Sequence, residues 1–266
     1  MTSTVTAPAP ARGGMRGLST LVRSEARLFL RYPGNVFFVV AFPSVLLLGM
    51  GFIVPGMREP LTDVPAPWLG LRVIDMFLPI ILCVSAATAG LTSLPLILAG
   101  YRETGVLRRL STTPMRPQGV LLAQVVVQLC GVVAGSVIAL LVALLAVGTP
   151  GPELPLVAVA AFPLSITAMF SIGLVIGGLA PRASSASGIG MLLYFPMLFF
   201  AGLWTPGPLM PGTLQTISSY TPLGAASQAM TAAWFEGGVP WLQLGVMAAW
   251  SVVLFGVATK TFRWSR

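Results

Sequence analysis

The 266 residues include no histidine. That removes histidine-based catalytic triads, H-E-x-x-H zinc sites and histidine proton relays together. Cysteine is nearly missing too. Cys83 and Cys130 are the two present, each inside an apolar run, and they supply neither a disulfide framework nor a metal spacing. They read as small buried apolar side chains. Charged residues make up 8% of the chain, where a soluble domain averages about 25%. No G-x-x-x-x-G-K-[ST] phosphate loop occurs, so the chain lacks that means of holding ATP. No acid or base falls deep within an apolar run, which is the usual mark of proton or ion coupling. Asp75 stands only at the start of one. Paired carboxylates and a Ser–Lys dyad are likewise missing from the apolar runs, which disfavours a membrane-embedded enzyme.

What remains is mostly oil, with 56% of residues hydrophobic. Uncharged apolar runs of about 18 residues or more are membrane-span candidates. Six are read, over 36–54, 73–98, 120–147, 156–179, 189–204 and 241–259. Pro43 lies inside the first, and Pro79 and Pro95 are expected to kink the second. The expected fold is therefore an all-α integral membrane protein. Residues 1–15, rich in Ala, Pro, Thr and Gly, read as a disordered tail, and 16–266 as a single membrane domain. The first apolar run follows a long basic segment and reads as a full span, not a cleavable leader.

Charge placement gives the expected orientation. Of the fifteen Lys and Arg residues, only Arg58 and Arg72 fall on one side of a six-span arrangement, and the other thirteen fall opposite. By the positive-inside rule both termini and the 101–117 loop are expected in the cytoplasm, with the protein a multi-pass component of the plasma membrane. The net charge of +8 thus belongs to membrane edges. No basic tract with interleaved aromatics suggests nucleic acid.

Residues 16–32 read as an amphipathic helix. Leu18, Leu21, Val22, Leu28 and Phe29 share one face, and Arg23, Arg27 and Arg31 follow at i, i+4, i+8 on another. Such a helix is expected at the membrane interface, its arginines toward anionic headgroups. Glu25 falls within the apolar face. Either it meets a partner there or the pattern simply frays.

The loop YRETGVLRRLSTTPMRP, residues 101–117, carries four arginines and one glutamate. Its first half reads as a short helix with Val106, Leu107 and Leu110 on one face and Arg108 and Arg109 pointing away. Arg102 and Glu103 sit one turn earlier. An apolar edge with fixed charges suits docking to another protein, and the same arginines also suit headgroup anchoring.

Polar uncharged residues recur within the spans. They read either as packing glue between helices or as the lining of a path for an amphipathic substrate. Gln124 and Gln128, one turn apart, are the leading candidates for the second role, joined by Phe195 and Phe199. Gly131, Gly135, Gly173 and Gly177, spaced at i, i+4, are expected to let helices approach closely within the chain. The 189–240 stretch is broken after Trp204 by Pro206, Pro208 and Pro211, and again at Tyr220-Thr221-Pro222. It reads as segments dipping into the outer leaflet, or as an outer loop with an amphipathic helix.

Three stretches, in this order, carry a family resemblance: RLFLRYPGNVFFVVAFP, YRETGVLRRLSTTPMRP and FPMLFFAGLWTPGPLMPGTLQTISSYTPL. They resemble the membrane subunit of ABC-2 type exporters, in particular the compact drug- and antibiotic-resistance permeases of the daunorubicin type. The second matches the family's E-x-x-x-G-x-L-x-x-L…P segment through Glu103, Gly105, Leu107 and Leu110. Ala201 departs from the Ser or Thr common in the third. The resemblance implies the type V exporter fold, with an interfacial helix, six spans and an outer-leaflet helical hairpin before the last. It further implies a dimer, of two copies or of this chain and a relative, with each subunit docked to a cytoplasmic ATPase. ATP would be bound by that partner, leaving this chain without a cofactor. Residues Tyr101–Leu110 would then form the coupling segment. A lipid or lipid-linked polysaccharide exporter, and a scaffold that anchors an ATPase without transport, are the competing readings.

Overall fold

The computed structural model describes residues 17–62, 64–106 and 118–261. The tail 1–15 lies outside them, as do Leu107, Arg108, Arg109 and Leu110 of the basic loop. Helix α1, Leu18–Arg31, precedes six apolar helices long enough to cross a bilayer. These are α2 Pro33–Ile53, α3 Val73–Glu103, α4 Gly119–Val147, α5 Pro155–Leu179, α6 Ala183–Phe200 and, last, α9 Trp241–Thr261. Between the fifth and sixth spans stand α7 Gly212–Tyr220 and α8 Pro222–Phe235. Among the described residues the only β feature is one isolated bridge, Pro60 to Arg72.

Helix α3 is the centre of the bundle. Every residue from Ile74 to Ala87 is buried, and α2, α4, α5, α6 and α8 all pack on it. Helix α9 lies at the periphery with most of its surface open. Cys83 is buried in α3 as expected, but Cys130 is exposed. It falls on the outward face of α4 beside Leu129, which is also exposed.

Three of the crossings are backbone to backbone, and glycine makes them. A side-chain carbon at Gly173 of α5 would collide with the Gly90 carbonyl oxygen of α3, and one at Gly190 of α6 would collide with the carbonyl of Leu91. Gly135 of α4 meets the Val39 carbonyl in the same way, at 2.6 Å. Both partner segments, Thr88–Ser93 and Phe37–Ala41, are π-turns inside their helices. Each is followed by a proline, Pro95 or Pro43, which cannot donate a helical hydrogen bond and favours such a local widening.

Three span boundaries differ from the expected ones by four residues or more. Span two continues five residues beyond 98, through Glu103, because nothing in 99–103 breaks a helix. It stops where Gly105 takes a positive φ of 69° and its N–H returns to the Arg102 carbonyl at 3.1 Å, a glycine-terminated end. Tyr101, Arg102 and Glu103 therefore form the last turn of α3, not the start of a separate helix. Span five begins at Ala183 instead of 189, since the small polar residues of 183–188 hold a helix without being apolar. It ends at Phe200, just before Gly202 at φ 86°.

The segments after span five fold as a hairpin that enters the bundle. Its apex is tied down by the Trp250 indole N–H, which donates to the Tyr220 carbonyl at 3.0 Å. Trp250 is nine residues into α9, so the apex lies about 13 Å from the start of that span, nearly half of a hydrocarbon core of about 30 Å. Thr221 caps α8 by accepting the Gly224 N–H at 3.2 Å, and Pro222 occupies the first turn, where no N–H is needed. Helix α8 then returns, buried along nearly its whole length, to meet the α4–α5 turn. There Leu154 N–H donates to the Ala233 carbonyl at 2.9 Å.

At that same face Arg72 joins two helix ends. Its guanidinium pairs with Asp75 at 2.7 Å and donates to the carbonyls of Val147 and Gly148 at the end of α4. The hydrogen bond to Asp75 is the main cause that pushes the Arg72 pKa above its ordinary value.

Candidate coupling platform at the basic face

The last turn of α3 carries three consecutive polar side chains, and each reaches a different part of the molecule. Successive helical positions point about 100° apart, so Tyr101, Arg102 and Glu103 cannot share a neighbour. The Tyr101 hydroxyl donates to the Glu25 carboxylate of α1 at 2.5 Å. Arg102 donates to the carbonyls of Gly178 and Ala180 at the end of α5, at 2.8 and 3.3 Å. Glu103 accepts the Ala183 backbone N–H at the start of α6, at 2.9 Å. A cation on helix-terminal carbonyls and an anion on a helix N-terminus both complement the helix dipole.

Glu25 has its partners inside the chain. It is buried at 6% exposure and accepts from Gln124 of α4 at 2.5 Å as well as from Tyr101. Gln124 also donates to the Tyr101 oxygen at 3.0 Å. The three side chains close a hydrogen-bonded triangle linking α1 to the helices on either side of the basic loop. The apolar face of α1 completes the join, with Leu21 against Gly119 and Phe29 against Gly131 of α4. Leu21 and Phe29 of that face thus meet protein, while Leu28 of the same set is exposed. Arg23, Arg27 and Arg31 point away and are exposed.

The four residues read as a substrate path are not brought together. Gln124 is engaged in the triangle. Gln128 is wholly buried with neither amide atom hydrogen-bonded. Phe195 and Phe199 are on the outside of α6, at 59% and 39% exposure. Two ties between helices join polar residues of the spans to partners that the sequence reading did not name. Ser93 donates to Asn35 at 2.5 Å, joining α3 to α2, and Thr88 and Tyr194 share a 2.7 Å bond between α3 and α6. A lone amide just inside span one was the available signal for the first. The second had none beyond the presence of a tyrosine in an apolar run.

Six apolar crossings, a buried central span and a polar hub at one end define a polytopic α-helical membrane protein of the transporter kind. The profile of the ABC-2 type transporter family matches residues 16–235, and the chain belongs to that family. A comparison with curated protein sequences finds no match. Proteins of this family are transmembrane subunits that generally pair with a separate ATPase subunit and are not themselves the ATPase.

Proposed function

We propose that this chain is the membrane subunit of an ATP-driven exporter for a hydrophobic or amphipathic compound, in the range of drugs, antibiotics and lipid-like molecules. A cytoplasmic ATPase docks on the loop that starts at Tyr101, and both termini lie on that side. The subunit works as a dimer and binds no ATP itself. The observation that carries the reading is the end of α3, where Tyr101, Arg102 and Glu103 tie the root of the loop to α1, α4, α5 and α6. A displacement of the loop by closure of the ATPase is transmitted through these bonds to four helices at once. Gly105 supplies the bend, and Leu107, Arg108, Arg109 and Leu110 supply the docking edge. The tilt of α3 and α6 then opens a path toward the opposite face.

The test is reconstitution of the chain with its ATPase in proteoliposomes, comparing Glu103→Ala and Arg108→Ala with the unaltered protein. The expected result is that substrate no longer stimulates ATP hydrolysis and export per ATP falls. Full coupling in both variants would overturn the assignment of the loop. An unaltered complex whose ATP hydrolysis ignores every amphipathic substrate would favour the scaffold reading.

A further inference from the structure

The re-entrant hairpin does not close fully on its neighbours. Between α7, α8, the end of α6 and the start of α9 it leaves a cavity of about 270 Å³. That is close to the lower end of small-molecule sites, about 300 Å³, and suits one headgroup or a small amine. The basic face lies at the other end of the spans.

Among the described residues, the walls carry oxygen acceptors and no cationic side chain. Thr231, at 7% exposure, lines the cavity. Ser227 donates to the Ala201 carbonyl at 2.6 Å, which leaves its lone pairs free. Gln243 donates to Gln228 at 3.2 Å, which leaves its carbonyl as an acceptor. Glu236 stands at the mouth. The Glu153 carboxylate lies 3.3 Å from where a side chain would begin at Gly237, the next residue.

No described cation answers these acceptors. Arg58 sits 3.8 Å over the ring of Phe52, and Arg72 is held by Asp75 and the end of α4. Desolvation raises the Glu236 pKa above the ordinary carboxylate value, although the residue remains open to solvent on one side. A nearby positive charge would offset that cost. Among the described residues no group of three or more acidic, cysteine or histidine side chains could hold a metal ion. Trp68 and Met210 give the cavity an apolar wall, and the indole face also favours a cation.

We infer that this cavity binds an amphiphile bearing a primary ammonium group, with the ammonium at Glu236, the adjoining carbons against Trp68 and Met210, and Glu153 a second carboxylate beside the mouth. An aminophospholipid headgroup and a free hydrophobic amine share this chemistry. The inference concerns binding to this chain and does not depend on coupling to an ATPase, so either can fail without the other.

The experiment uses the full chain in phosphatidylcholine nanodiscs, with tritiated decylamine as probe, empty discs subtracted and decanol as the neutral competitor. Saturable binding that decanol does not displace is expected. Glu236→Gln and Glu153→Gln, both at exposed positions, are each expected to weaken it at least tenfold. Glu59→Gln, an exposed acid elsewhere on the same face, is expected to leave it unchanged. Absence of saturable binding, or binding that ignores Glu236→Gln, overturns the inference. Repeating the measurement with phosphatidylethanolamine in the discs distinguishes the sources. Loss of decylamine binding identifies the lipid amine as occupant, and retention identifies a free amine. Either outcome supports the ammonium site.

Discussion

Glu25 and Tyr101 are 76 positions apart in the chain and meet in one hydrogen bond of 2.5 Å. The bond joins the helix before the first span to the last turn of the second, and Gln124 closes the contact from the third. A carboxylate buried among polar donors is worth keeping only while the donors are in place, since each loss leaves a partner unsatisfied.

Removal of the carboxylate should therefore cost more than removal of the hydroxyl. Glu25→Ala strands two donors and is expected to destabilise the chain by about 1–3 kcal/mol, and Tyr101→Phe by about 1 kcal/mol. The thermal midpoint of the detergent-solubilised protein reads both. Because the residues act as one unit, the double variant should fall short of the sum by about 0.5 kcal/mol or more. Strict additivity would mean that the triangle is not a unit in solution.

Arg102 offers a sharper test of geometry than of charge. A single guanidinium nitrogen, Nη1, donates to the carbonyls of both Gly178 and Ala180, and a lysine ammonium, one bond shorter along the side chain, does not reach that position. Arg102→Lys keeps the charge and is expected to loosen the end of α5, seen as faster hydrogen exchange at residues 176–180 with little change in α9. Equal protection in the variant would show that charge alone suffices there.

The spans were legible because about twenty uncharged apolar residues have one solution in a bilayer. Their ends were less so. Span two runs on through Tyr101–Glu103 and span five begins at Ala183, since a helix can outlast its apolar window until a residue such as Gly105 ends it. Glu25 was visible as a flaw in an apolar face, but its partners Tyr101 and Gln124 lie 76 and 99 residues away, and no local pattern encodes them. The broken character of 205–240 was plain from Pro206, Pro208 and Pro211. How far it penetrates rests on the Trp250–Tyr220 bond, a long-range contact. The Gly173 and Gly177 spacing signalled close approach. That Gly90 and Gly190 complete the crossing came only from the fold.

Those crossings should tolerate no added carbon. Gly173→Ala drives a methyl group into the Gly90 carbonyl, backbone that cannot move without shifting α3. Overpacking of this kind costs typically about 1–3 kcal/mol, and the rigid partner argues for the upper end. Gly188→Ala, with no atom within 4 Å, is the control and should be neutral or slightly stabilising, as helix propensity favours alanine. The yield of monodisperse protein and its thermal midpoint should separate the two. A Gly173→Ala protein as stable as the control would contradict the backbone contact.

The pH dependence of stability should carry the mark of Glu236. Desolvation raises its pKa in the folded protein, so the folded state binds a proton at pH values where the unfolded chain does not. Stability then rises as pH falls from above the raised folded value toward the ordinary glutamate value near 4.3, and levels off below it. This is opposite to the behaviour of a carboxylate stabilised by a salt bridge. Other acids titrate in the same window, so the informative quantity is the difference between the unaltered protein and Glu236→Gln. That difference should favour the variant at neutral pH and shrink on acidification, as read from thermal midpoints at matched ionic strength. If decylamine occupies the adjoining cavity, the ammonium removes the penalty on the charged carboxylate, and the difference at neutral pH should shrink or reverse when the amine is added. A difference that is flat with pH and indifferent to the amine would mean that Glu236 is fully solvated in the working protein.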